Sequence, residues 1–254
     1  MSYIIAFILG SIWGSFANVC IYRLPIDENI AKGRSYCTSC KKQIKWFDNI
    51  PLLSYLFLKG TCRFCTKKIN IQYFIVELIS ALSFVIVVYL FGVSLTTLLF
   101  FILSICFIII FFIDLKHFII PNELTYPLML IGFLKSFDPN LNKLLFPNFI
   151  NSLIGGIFGY LIIWLIIFVY KKLRNREGMG LGDAKLLAVI GFWFGWISIP
   201  FVIFFSSTIA LIWVIPDLIK NKKELTSQIP FGPFLILGTL IYLLIIDYIK
   251  IYLG

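Results

Sequence analysis

Apolar residues run along this chain in long blocks that short polar clusters separate. The blocks at residues 3–24, 71–91, 95–113, 149–170, 198–219 and 231–252 approach or exceed the roughly 20 residues a helix needs to cross hydrocarbon. Two shorter stretches, 124–137 and 184–197, fall below that length but lie where a further crossing has to be placed. The pattern predicts an all-α polytopic membrane protein of about eight transmembrane helices. It divides into a first transmembrane helix at 1–24, a small polar loop at 25–70 and a membrane core at 71–254. No Lys or Arg precedes the first block and Arg23 follows it, so we expect a retained anchor rather than a secretory signal.

Composition agrees with this pattern. The 254 residues are 60% hydrophobic and 13% charged, leaving more apolar surface than a soluble core of this length buries. The net charge of +10 acquires meaning from its placement: nineteen of the 22 Lys and Arg fall on alternate connections, and only Lys135, Lys143 and Lys250 on the others. The positive-inside rule then puts the basic connections, including the 25–70 loop, in the cytoplasm and both termini outside. The lipid bilayer, with its anionic headgroups, is the expected partner of that charge. No basic helix or aromatic-lined groove points to nucleic acid.

The loop holds YCTSCKKQIKW and GTCRFCTKK. Its two C-x-x-C knuckles, Cys37 and Cys40 with Cys62 and Cys65, have the spacing of a four-thiolate zinc site, which is structural because no coordination position stays open. Disulfides are disfavoured in a reducing compartment, and a redox pair lacks the strand and helix pattern around it. Cys20 and Cys106 lie in apolar blocks and read as buried free thiols.

Most of the 12 acids lie in polar connections; Glu77, Asp114, Asp183 and Asp247 lie in or at the ends of apolar blocks. Such groups are expensive to insert and therefore candidates for function. Asp247 has an ordinary interfacial alternative beside Lys250. For Asp114 the bland alternative is pairing with Lys116 or His117, and for Asp183 it is a helix cap among Gly178, Gly180 and Gly182. Topology nevertheless delivers Asp114 and Asp183 to the same membrane face, each beside an irregular segment, DLKHFIIPNELT or GMGLGDAKL.

Elimination points the same way. The single histidine, His117, excludes an H-E-x-x-H hydrolase; no phosphate-binding G-x-x-x-x-G-K-[ST] loop occurs; and GSIWGSF only loosely echoes a serine nucleophile turn. Two carboxylates remain, and a close pair shares a proton so that one activates water while the other polarises a carbonyl. A proton- or cation-coupled transporter using the same carboxylates is the alternative, and it predicts internal repeats, which the sequence lacks.

Several segments together resemble the type IV prepilin peptidases: GSFANVCIYRLP (14–25), both knuckles, DNIPLLSYLFLKGTC (48–62), DLKHFIIPNELT (114–125), GMGLGDAKL (178–186) and IPFGPFLILG (229–238). The resemblance implies an aspartic endopeptidase of the bacterial inner membrane with Asp114 and Asp183 as the catalytic pair. Gly180, Gly182 and Lys185 would support Asp183, their glycines forming an adjustable mount. Its substrates would be prepilins or pseudopilins, cut after the glycine that ends a basic leader. It also implies N-methylation of the new amino terminus with S-adenosylmethionine. Glu77 matches an acidic position of the pattern and is a candidate to contact the leader or the methylation site; its alternative is neutralisation by Lys67 or Lys68. Thr38, Gln72, Phe74 and Cys20 depart from the pattern, all of them in the amino-terminal part.

Overall fold

A computed structural model describes residues 1–31, 33–141, 145–174, 180–219 and 228–253, excluding the side chains of 174, 217, 218 and 247–253. Gly178, the side chains of Asp247 and Lys250, and Lys143, Lys220, Lys222 and Lys223 therefore lie outside the described residues. The described chain is helical apart from turns and two isolated β-bridges. It separates into two compact units, Met1–Ile109 and Ile110–Gly254.

In the first unit α1 (Ser2–Arg23) and α3 (Gln72–Phe91) pack along their length, and the loop between them contains the short α2 (Leu53–Phe57). Their close approach has a sequence cause. A Cβ at Gly10 would lie 2.6 Å from the Ser80 carbonyl oxygen, and one at Gly14 2.7 Å from Glu77 Cα. GSIWG is thus a G-x-x-x-G surface on which two backbones meet, which is the way helices pack where lipid supplies no hydrophobic drive. Beyond it Ala6, Phe84 and Val88 form an apolar cluster, and Asn18 Nδ2 donates to the Tyr73 carbonyl at 2.9 Å.

α4 (Leu95–His117) ends inside the second unit, which continues with α5 (Asn122–Leu134), α6 (Phe149–Arg174), α7 (Leu181–Phe194), α8 (Ser198–Ile219) and α9 (Gly232–Leu253). The short α7 is the centre of this unit. Leu186, Leu187, Val189, Ile190 and Trp193 are all fully buried, the signature of a helix that is apolar all round. Gly191 meets the backbone of Gly155, and Gly159 brings α6 against the Leu187 carbonyl. Side chains close the far end of α7: Ser152 Oγ donates to the Phe192 carbonyl at 2.7 Å, Lys135 Nζ to the Trp193 carbonyl at 2.9 Å, and Trp193 Nε1 to the Leu128 carbonyl at 2.8 Å.

Five segments, Ser2–Ile26, Gln72–Phe91, Leu95–His117, Phe149–Leu173 and Ser198–Pro216, are long and apolar enough to cross a membrane. The 13 and 14 residues of α5 and α7 extend only about 20 Å at 1.5 Å per residue. These are the two elements that the hydrophobic pattern already marked as short.

Candidate active site and metal centre

Asp114 sits one turn before the end of α4, and the chain then turns sharply: Phe118 adopts a φ of +57° and Pro121 confines the residue before it to extended backbone. The connection Phe118–Pro121 leads into α5 at Asn122. Asp183 is the third residue of α7, whose cap is Gly180, and no side chain caps that end. The carboxylate is thus in the first turn, where the helix dipole favours negative charge, but it is not the cap. Both acids are buried, Asp114 4% and Asp183 8% exposed.

Two glycines and one isoleucine hold them. Gly232, the first residue of α9, donates its N–H to Asp114 Oδ2 at 3.0 Å, so a helix N-terminus faces this carboxylate. A Cβ on Gly232 would lie 2.8 Å from Asp114 Oδ2 and 3.1 Å from Ile120 Cδ1, and a Cβ on Gly182 would lie 3.0 Å from Ile120 Cβ. Ile120 therefore touches both the glycine bonded to Asp114 and the glycine preceding Asp183. The charge on Asp114 acts on Asp183.

Lys185 lies one residue beyond this turn and donates to Asn122 Oδ1 at 2.7 Å, with its ammonium over the Tyr126 ring. It ties α7 to the start of α5. Among the described residues Asp114 accepts from the Gly232 amide, and neither Lys116 nor His117 pairs with it. Gly182 lies inside α7, and Ile120 occupies the space that a side chain there would need. Gly232 and Ile120 were not assigned a role from sequence, although IPFGPF and FIIPNE contain them. Their signal is steric, and no spacing rule carries it.

The metal centre belongs to the first unit. The sulfurs of Cys37, Cys40, Cys62 and Cys65 all lie within 4.8 Å of one another, and Cys37 Sγ is 3.9 Å from Cys65 Sγ. Tetrahedral zinc with Zn–S near 2.3 Å requires sulfur separations of about 3.8 Å, so the donor set fits. The knuckles repeat one backbone design. Lys41 N donates to the Cys37 carbonyl and Cys37 N to the Lys42 carbonyl; Thr66 N donates to the Cys62 carbonyl and Cys62 N to the Lys67 carbonyl. Lys41 and Thr66, each just past its knuckle, take φ of +58° and +56°. Burial pushes the Cys37 thiol up, but the amides of Cys40 and Ser39 and the neighbouring sulfurs bring it to about 7; for Cys65 the Lys67 amide pulls the thiol down, but burial and the same sulfurs push it up to about 11. Arg63 clamps the loop through two hydrogen bonds to Asp48, at 2.7 and 2.6 Å.

Glu77 lies beneath this loop. Its Oε2 accepts the N–H of Leu52 at 2.7 Å. Leu52, at φ +62° and ψ −52°, is the centre of a γ-turn closed from Leu53 N to the Pro51 carbonyl, a rare and strained conformation. Among the described residues neither Lys67 nor Lys68 pairs with Glu77, so a backbone amide meets it and the lysine alternative is not realised.

Residues 8–91 match the Bacterial Peptidase A24 N-terminal domain and residues 100–215 the Type IV leader peptidase family. The chain is 35% identical to the prepilin leader peptidase/N-methyltransferase of Aeromonas salmonicida, over 94% of this chain and 89% of that one. It is 34% identical to the protein of the same name from Neisseria gonorrhoeae, over 91% of this chain and 86% of that one. For the Pseudomonas aeruginosa protein of that name the identity is 33%, over 93% and 88%. No solved structure matches the chain.

Proposed function

The chain belongs to the type IV leader peptidase family, and from that premise we propose that it removes the basic leader of type IV prepilins or pseudopilins and N-methylates the new amino terminus. Cleavage is aspartic proteolysis by Asp114 and Asp183. The observation that carries this assignment is the common mount of two buried carboxylates: Gly232 donates to Asp114, Gly182 precedes Asp183, and Ile120 packs against both glycines.

A catalytic carboxylate pair holds one proton between its members. The Gly232 amide supports the charge on Asp114, and the first turn of α7 supports that on Asp183, so the proton belongs to the pair rather than to one member. The ionised member takes a proton from the attacking water, and the protonated member gives its own to the scissile carbonyl oxygen. The roles reverse as the leaving amine is protonated. Lys185 holds the first turn of α7 against α5 and thereby orients Asp183. The alternative of a proton- or cation-coupled transporter is set aside, because the family is one of peptidases.

The five span-length segments, together with α5, α7 and α9, make eight crossings with the first at 1–24. The 25–70 loop binds structural zinc through Cys37, Cys40, Cys62 and Cys65, and 71–254 forms the membrane core that contains the peptidase pair. The charge distribution supports an inner-membrane orientation with the loop and the cleavage site on the cytoplasmic side. S-adenosylmethionine is the methyl donor, and the substrates belong to type IV pilus or type II secretion assemblies. Co-expression with a prepilin tests the peptidase assignment. Asp114→Asn and Asp183→Asn should each insert normally yet leave the leader uncut, and a full mobility shift from either variant would overturn the mechanism.

A further inference from the structure

We infer that residues 46–57 of the loop are an interfacial membrane element: their apolar side chains enter the lipid leaflet nearest the loop, and the basic residues around them meet its anionic headgroups.

The depth of the segment is the first observation. α2 does not stand clear of the membrane-length helices but lies beside the start of α3. Tyr55 packs on Phe74 with ring centroids 5.4 Å apart, and the Leu52 N–H reaches Glu77 Oε2 at 2.7 Å. α3 begins at Gln72 and is long and apolar enough to cross a membrane. Glu77 is five residues into it, about 7.5 Å at 1.5 Å per residue. Helix side chains lean over the turn N-terminal to their own Cα, so its carboxylate meets Leu52 level with the first turns of the span. Elements that lie in the membrane plane bury their apolar face about 5–10 Å into the headgroup and acyl boundary, and the depth agrees.

The surface facing away from α3 is apolar. Leu53, Leu56 and Phe57 stand at i, i+3 and i+4 and share one face of α2, opposite Tyr55, and all three are exposed, Phe57 by 83%. Ser54 Oγ donates to the Phe47 carbonyl at 2.9 Å and fastens the preceding turn beside α2. That turn adds Trp46, 73% exposed, with Phe47 and Ile50, also exposed. Such a concentration of large apolar groups is costly against water and marks an interaction surface.

The charges identify what covers it. Residues 46–58 contain no Lys or Arg, and their one acid, Asp48, is neutralised by two hydrogen bonds from Arg63, at 2.7 and 2.6 Å. Lys45 and Lys59 bound the segment. Lys45 Nζ and the Arg63 guanidinium lie 5.5 and 5.4 Å from the Phe47 ring centroid, and Lys42 Nζ lies 5.2 Å from that of Phe64. Aromatic groups with Lys and Arg beside them are the anchors of a membrane–water interface, and the cations suit anionic lipid. A second copy of the chain would bring the same positive rim against this one, whereas anionic headgroups complement it. Besides α1 and α3, this element would then fasten the metal-binding loop to the membrane surface.

The test uses the full chain in vesicles of equimolar phosphatidylglycerol and phosphatidylcholine. Photoreactive p-benzoylphenylalanine replaces Leu53, Phe57 or Ile86, and the adducts formed on irradiation are identified by mass. Ile86, exposed on α3, is the lipid-facing reference. Positions 53 and 57 should give lipid adducts in a yield comparable to that at 86, with phosphatidylglycerol above its half share. In the double variant Lys45→Gln, Lys59→Gln that excess should be lost. Zinc content shows that the loop is intact, and Phe57, the more exposed position, decides if a label at 53 expels the metal. Lipid adducts at 86 alone overturn the inference. Adducts of 53 and 57 to protein overturn it too, because the surface would then pack on a second copy or on another part of the chain. Phosphatidylglycerol at its half share before the lysines are changed refutes the headgroup contact. Prepilin cleavage plays no part in the readout, so failure here leaves the peptidase assignment untouched.

Discussion

Gly232→Ala adds one methyl group at the point where α9 meets Asp114. The new Cβ would lie 2.8 Å from Asp114 Oδ2 and 3.1 Å from Ile120 Cδ1. Carbon and oxygen approach without strain to about 3.3 Å, so the carboxylate has to withdraw by about 0.5 Å, and Ile120 obstructs a compensating shift of the methyl. The Gly232 N–H···Oδ2 bond, at 3.0 Å, then stretches past the usual limit of about 3.2 Å. A hydrogen bond to a charged group contributes about 1.5–3 kcal/mol, and each 1.4 kcal/mol is about tenfold in rate. Prepilin cleavage should therefore lose roughly 10–100-fold in kcat/KM. The assay is single-turnover cleavage of a prepilin peptide by purified protein, paired with a melting curve to show that the fold persists. Gly182→Ala is the comparison, because its Cβ meets only Ile120, at 3.0 and 3.3 Å, and its loss should be smaller. A folded Gly232→Ala enzyme as fast as the wild type would refute the idea that this amide and carboxylate form a working contact.

Two further predictions concern other parts of the molecule. Metal analysis should find one zinc per chain, and because structural zinc contributes on the order of 10 kcal/mol to folding small domains, chelation or Cys62→Ser should open the 25–70 loop to protease; a loop equally resistant without metal would count against the site. Lys135→Met should destabilise the protein by about 1–3 kcal/mol, since it leaves the Trp193 carbonyl without the donor now at 2.9 Å and removes a cation lying 3.8 Å from the Phe146 ring centroid; an unchanged melting temperature would show that the buried lysine is not needed there.

Much of this was legible from residue order. Long apolar blocks dictate helices because lipid offers no partner for an exposed amide, and the elements whose length fell short, α5 and α7, are the short helices. The knuckles announced a metal site because thiolate spacing is a local property, and the four sulfurs do converge. Other assignments needed more than spacing. Glu77 had lysine neighbours in sequence but bonds to a backbone amide across the loop, and GSIWG, which loosely echoed a nucleophile turn, is a helix-packing surface.

What the sequence determined by itself is the class of the molecule: helices by hydrophobic length, and a list of acids too costly to bury idly. What only the tertiary structure decided is which groups meet. Asp114 and Asp183 come from α4 and α7, and the residues that hold them, Ile120 and Gly232, come from a connection and from the start of α9. Periodicity reports which face of an element is apolar, but not which distant backbone will lie against it. That is settled by close packing, where a missing Cβ at Gly232 leaves room for a carboxylate and an extra methyl group would push it away.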